Sequence, residues 1–259
     1  LRQEISVLEH LNKTFSLPYI PETYIWGEKA SMLFLLEDWF QGYHEFHISR
    51  DEKGGQNVQL WDFEKGCRLL SSEQSFQIYT HISRILTLYY DFENARQIYP
   101  WHHGAGDFVA RARDEAGSRG GIDVKLTTVR GYGTRVCLEE KNLIYSLKGL
   151  FHFFLNTTIR MRLDRLDGVK EAVWAGDVCL KATLKGFFDG LGAKEKLGHQ
   201  AVAPQDFLAL VKTFDREELG RGLSAILGEY LQEEELQLIR RNLPGHTAEL
   251  HRAIQAFDL

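Results

Sequence analysis

Cysteine is scarce in this 259-residue chain. Cys67, Cys137 and Cys179 are odd in number and far apart. That excludes a disulfide framework and any CxxC metal pair, and it predicts a reducing, cytoplasmic setting. Long apolar runs are missing too, since none reaches the ~20 residues that a bilayer span requires. The greasiest stretch, 143–155, is interrupted by Ser146, Lys148, Gly149 and His152 and reads as a buried helix. No secretory signal precedes it. Nor is there an excess of basic charge: 31 Lys and Arg against 36 Asp and Glu give a net charge of −5. No global field therefore recruits nucleic acid or a membrane surface, and only local patches stay open. Repeats and low-complexity segments are absent.

What is present suffices for a core, with 44% hydrophobic residues in one large domain or two small ones. Ile5, Leu8, Leu11 and Phe15 recur at helical spacing, and the chain opens on Leu1 in what reads as mid-helix, which predicts further sequence upstream. Pro18 and Pro21 stop that helix. The runs around 24–26 and 32–36 read as two buried antiparallel strands. Residues 43–48 and 58–63 alternate around the Asp51-Glu52-Lys53-Gly54-Gly55 turn and predict a second hairpin. Ser71 and Gln74 form a capping box before a helix carrying Ile78, Ile82, Ile85, Leu86 and Tyr89. A third hairpin is expected from 108–113 and 124–130 around a Gly/Asp-rich loop at 114–121. Everything after Leu138 reads as helical, with Asp215 and Glu218 capping one of the later helices. This order is α+β.

The densest chemistry lies in Trp101-His102-His103-Gly104-Ala105-Gly106-Asp107-Phe108, just after Pro100. Imidazoles and a carboxylate on a glycine-hinged turn suit proton transfer, metal binding or phosphate chemistry. The same residues also serve as polar turn groups or hydrogen-bonded core histidines, with Asp107 anchoring backbone amides. Two further stretches carry charge. Arg160, Arg162 and Arg165 with Asp164 and Asp167 predict ion pairs along a helix flank. Val129-Arg130-Gly131-Tyr132-Gly133-Thr134-Arg135 is glycine-rich and basic, but it lacks the lysine of a P-loop.

Three segments in order resemble the protein-kinase-like fold, in its aminoglycoside phosphotransferase and small-molecule kinase branch. Arg2-Gln3-Glu4-Ile5-Ser6-Val7-Leu8 resembles the helix whose Glu pairs with a strand lysine. Leu33-Phe34-Leu35-Leu36-Glu37-Asp38 resembles the strand running into the hinge. His102 to Asp107, followed by a hairpin, resembles the catalytic loop. The resemblance implies a small sheet lobe over 1–40 and a larger helical lobe over 41–259. It also implies ATP and magnesium as cofactors, with Glu4 and Glu37 on the cofactor side and phosphorylation of a small-molecule hydroxyl. Aligned on the acid, Asp107 is the base and Ala112 stands where the family has Asn. Aligned on the hairpin, Asp107 replaces that Asn and the base falls on His102 beside His103. Asp107 and Asp123 are then the metal candidates, and the Gly-rich loop and strand lysine belong upstream of Leu1. Two other classes stay open. One is a non-catalytic kinase-like binding or scaffold protein. The other is a His/Asp metal enzyme using His44, His47, His102, His103 and Asp107.

Overall fold

A computed structural model describes residues 1–62, 64–103, 106–113, 121–136, 142–199, 202–230 and 232–259. Phe63, Gly104, Ala105, Cys137 and most of the 114–121 loop lie outside these residues. Helix α1 (Arg2–Phe15) buries Ile5, Leu8, Leu11 and Phe15 on one face, as their spacing predicts. Strands β1 (Thr23–Lys29) and β2 (Met32–Glu37) form an antiparallel hairpin that turns at Ala30 and Ser31, both at positive φ. The expectation of buried strands is corrected here. Trp26 turns toward α1 and donates to Glu9 at 3.1 Å yet stays 46% exposed, and Ile25, Met32, Phe34 and Leu36 share the opposite face and are exposed as well. One helix covers only one side of a two-stranded ribbon.

The second hairpin forms as predicted from β3 (Phe46–Arg50) and β4 (Gln56–Asp62), and β5 (Gly66–Leu69) extends it to three strands. The Ser71–Gln74 capping box opens α2 (Ser72–Leu88), with reciprocal bonds of 3.2 and 3.1 Å. Strand β6 (Arg96–Ile98) leads through the cis Tyr99–Pro100 bond into the His-His turn. The third hairpin follows as β7 (Phe108–Ala112) and β8 (Ile122–Leu126), after which β9 (Tyr132–Thr134) pairs back onto β6. Helix α3 (Leu143–Arg160) is capped by Asn142, whose side chain accepts from the Tyr145 N–H.

The all-helical expectation beyond 138 fails at one place. Strands β10 (Leu163–Arg165) and β11 (Ala172–Trp174) form a short hairpin, turning through Asp167 and Gly168 at positive φ. An Asp-Gly pair is a hairpin signal, and here it outweighs the apolar context. Arg162, Asp164 and Arg165 therefore lie off the helix, and their ion pairs reach distant segments rather than one helix flank. Helices α4 (Asp177–Lys196), α5 (Pro204–Lys212), α6 (Arg216–Ala225, with the Asp215–Glu218 capping box) and α7 (Glu233–Gln255) complete the chain. The architecture is α+β, built from small antiparallel sheets and seven helices among the described residues. None of these helices is long and apolar enough to cross a membrane.

Helices α2 and α4 pack most closely, and glycine permits it. A Cβ on Gly186 would lie 2.1 Å from the Thr80 carbonyl oxygen. Ser83 donates to the Thr183 carbonyl at 2.7 Å across the same contact. Lys194, buried at the end of α4, donates to the carbonyls of Leu88 and Tyr90 and so closes the end of α2. Phe15 of α1 meets Tyr89 at the end of α2 edge to face, 5.4 Å between centroids, so Leu8, Leu11, Phe15 and Ile20 belong to the same apolar core as the later elements.

Gly186→Ala is expected to destabilise the protein by ~2 kcal/mol or more, read as a lower urea midpoint, because backbone must move to admit the methyl. His246 of α7 yields a second expectation. It is enclosed, its Nδ1 faces Arg162 and its Nε2 faces the Thr158 hydroxyl. Burial, helped by Arg162, pulls its pKa down to about 3, so the unfolded chain takes up the proton first. The stability held above the ordinary histidine pKa is therefore lost as pH falls, by ~2 kcal/mol between pH 6.5 and 5. Urea midpoints at the two pH values should differ by that amount, and His246→Gln should flatten the difference.

Candidate functional site

The two adjacent histidines sit side by side, ring centroids 5.7 Å apart, and a buried carboxylate holds the inner one. Asp164 of β10 accepts the Ile48 N–H at 3.0 Å and the Arg165 N–H at 2.7 Å. The His103 ring is drawn to it, with Nδ1 3.6 Å from Asp164 and Nε2 donating to the Met161 carbonyl at 3.2 Å. Burial would raise the Asp164 pKa, but His103 and the two backbone donors outweigh it and hold the carboxyl low. His103 is 1% exposed and packed against Phe46 and Tyr79. Its candidacy as a catalytic group is corrected, because no substrate reaches an imidazole sealed in this way. It is a core histidine.

His102 lies at the rim of that packing, its side chain 17% exposed. It lines a cleft of about 680 Å³ together with Tyr99, Trp101, Arg130, Arg135 and Arg160. Burial, then the neighbouring His103, brings its pKa down to about 3, so the ring is neutral near pH 7. Its Nε2 lies 3.7 Å from Glu235 of α7. So weak a base is poorly matched to taking a proton near neutrality.

Asp107 sits behind the cleft at the head of β7 and is 1% exposed. Its Oδ2 accepts the His102 N–H and the Arg130 Nη1, both at 2.8 Å, and Arg130 Nη2 lies 2.5 Å from Oδ1. Burial pushes its pKa up to about 6, against the pull of His102 N–H and Arg130 and with help from the charge of Glu4. Gly106 precedes it at φ +72°, where a Cβ would meet Glu45 Oε1 at 2.7 Å. Thr127 and Thr128 stand beside Asp107 at the end of β8. Thr127 Oγ1 donates to the carbonyls of Gly106 and Asp107, and Thr128 donates to Glu4.

Glu4 thus reaches the same neighbourhood from α1. Glu37 joins it electrostatically: burial first, then Glu4, raises the Glu37 pKa, and its Oε2 has no hydrogen-bond partner. Asp123 is brought nowhere near. The register pairs Phe108 with Leu126 and Arg111 with Asp123, which places Asp123 about 10 Å or more down the ribbon from Asp107. There Arg113 and Arg111 hold it at 2.6 and 3.3 Å and keep its pKa low against partial burial. The histidines of the metal alternative are also apart. His44 faces Asp62 at 3.6 Å, while His47 is enclosed against Glu45 and Trp61. Among the described residues no group of three His, Cys, Asp or Glu is placed to hold a metal ion.

The basic glycine-rich stretch at 129–135 has a structural reason for its glycines. A Cβ on Gly131 would lie 2.6 Å from the Tyr99 carbonyl, and β9 spends its amides on β6. What the stretch contributes is Arg130 and Arg135 on one side of the cleft. Arg160 and Arg165 line it as well, at the end of α3 and on β10, and Glu229, Tyr230 and Glu235 are part of the same lining. Sequence reasoning missed Glu229, Tyr230 and Glu235. They lie more than 120 residues from His102, and no local pattern marks them. No family model, curated protein or solved structure matches this chain.

Proposed function

We propose that this chain is a divergent, kinase-like phosphotransferase that acts on a small-molecule hydroxyl bound in the cleft beside His102 and Asp107. The observation that carries the reading is Asp107, a buried carboxylate with a raised pKa. It lies where α1, the head of a hairpin and an arginine-lined cleft meet. Phosphoryl transfer works mainly by positioning and by neutralising charge, and arginines around a cleft supply the second. The first rests on Asp107, whose pKa of about 6 suits holding a substrate hydroxyl. Asp107 is as enclosed as His103, but Arg130, which lines the cleft and is 43% exposed, is what covers it, and displacement of Arg130 would open the carboxylate to a hydroxyl in the cleft.

ATP and magnesium enter by resemblance to that fold. Magnesium is commonly held by one or two carboxylates together with phosphate oxygens. Asp107 fits such a role, with Glu4 nearby, and Asp123 does not. The ion would neutralise charge on the transferred phosphoryl group. The second reading, a kinase-like protein that binds without catalysing, is favoured by Thr127 and Thr128 at the strand end, where the resemblance calls for a metal-binding acid.

Isothermal titration with ATP and magnesium is expected to give a binding heat that Asp107→Ala weakens by about tenfold or more, the loss of one charge-assisted contact. A wild-type protein that gives no heat removes the enzyme reading. The raised pKa also has a stability consequence. A folded-state pKa of about 6 means that the native protein holds the proton longer than the unfolded chain. Stability from this group is therefore present near pH 4 and lost as pH rises through 6. Asp107→Asn should abolish that fall and gain ~2 kcal/mol at pH 7 relative to pH 4 against wild type, measured by urea unfolding.

A further inference from the structure

Two opposite charges face this cleft without a counter-ion. Arg160, at the end of α3, is 8% exposed. Its Nη2 donates to the Trp101 carbonyl at 2.8 Å and its Nη1 to the Tyr99 hydroxyl at 3.4 Å, both neutral acceptors. Its Nε has no partner, and no carboxylate of the described residues lies within ion-pair distance. Arg162, two residues on, is the contrast. It is just as buried and has Glu249 at 2.6 Å, Asp177 at 3.1 Å and the Ala175 carbonyl. The other arginines of the cleft resemble Arg162: Arg130 is held by Asp107, Arg135 by Glu229 and Arg165 by Glu234.

Glu235 is the mirror case. It is 7% exposed, its side chain makes no hydrogen bond among the described residues, and its one near neighbour of possible opposite charge, His102 Nε2, stands at 3.7 Å, beyond hydrogen-bond reach. Its place in the first turn of α7 does not account for it, because Glu233 and Glu234 already supply negative charge to that helix end. Glu234 also takes the Ala172 N–H and Arg165. Burying one unpaired charge is costly, and burying two of opposite sign beside one cavity without joining them is a poor arrangement for stability alone.

We infer that the cleft is a receptor for a small zwitterion, with Arg160 taking its oxyanion and Glu235 its protonated amine. Tyr99, Trp101 and Tyr230 place rings 5.0 to 5.6 Å from the Arg160 guanidinium carbon. They hold the guanidinium in place and restrict water around the contact. The oxyanion is a carboxylate, as in an amino acid, or a phosphate, as in an amino alcohol phosphate. A hydroxyl on such a molecule would make it an acceptor for the transfer proposed above, but binding needs neither nucleotide nor magnesium.

The test is isothermal titration without nucleotide, using L-serine and O-phosphoethanolamine, with N-acetyl-L-serine and L-serine methyl ester as controls that lack one charge. At least one zwitterion is expected to bind, with its single-charge counterparts weaker by about tenfold or more, as befits loss of a charge-assisted contact. Which of the two binds identifies the oxyanion. Glu235→Gln keeps the shape of the side chain and should erase the preference for L-serine over its N-acetyl form. Arg160→Lys keeps the charge but loses the fork and should weaken the zwitterion by a similar factor. The inference is overturned if neither zwitterion binds, if the controls bind as well, or if Glu235→Gln leaves the preference intact. Loss of ATP binding and loss of zwitterion binding are separate measurements, so the failure of one reading is told apart from the failure of the other.

Discussion

The buried carboxylate of Asp164 governs the arrangement of the cleft. It accepts two backbone N–H groups, one from β3 and one from its own strand, and it draws in the His103 ring. Three segments distant in the sequence are joined at one atom group with almost no solvent around it. A carboxylate in such a place is tolerated only because its acceptor capacity is met, and an unmet one would cost several kcal/mol. With His103 held in the core, His102 stays beside it at the rim, where it lines the cleft and turns its N–H to Asp107.

The same logic orders the charges around that turn. Asp107 is ionisable yet buried, and Arg130 balances it from a half-exposed position. Arg162 ties β10, α4 and α7 together with every donor direction used. Against such thorough pairing, Arg160 and Glu235 are exceptions. Stability selects for joined charges in a low-dielectric setting, so two charges left unjoined in the lining of one cavity point toward a ligand rather than toward the fold.

Much of the local structure was legible in the sequence because local rules decide it. The stripe from Ile5 to Phe15, the capping boxes at Ser71 and Asp215, and the Asp51 to Gly55 turn all act within a few residues. The β10–β11 hairpin was written just as locally, in Asp167-Gly168, and apolar neighbours masked it. The exposure of β1 and β2 was not legible, because alternation tells that a strand exists but not what covers each face. The site divided in the same way. The chemistry of the His-His turn could be seen from residue types, whereas the sealing of His103 depends on Asp164, some 60 residues away. The removal of Asp123 from the site depends on strand register. Glu235 enters only because α7 returns across the cleft.

Histidine and arginine therefore play inverted parts from those their sequence positions suggest. The paired imidazoles drew attention as proton carriers, yet one is a core group and the other is held neutral by burial. Arg160 and Arg165 read as part of an ion-paired helix flank, yet at the cleft three of four arginines, Arg130, Arg135 and Arg165, are spent on carboxylates from other segments, and Arg160 has none. Glu235 completes the contrast, since it lines the same cleft with His102 3.7 Å away and no hydrogen-bonded counter-ion on which its charge is spent.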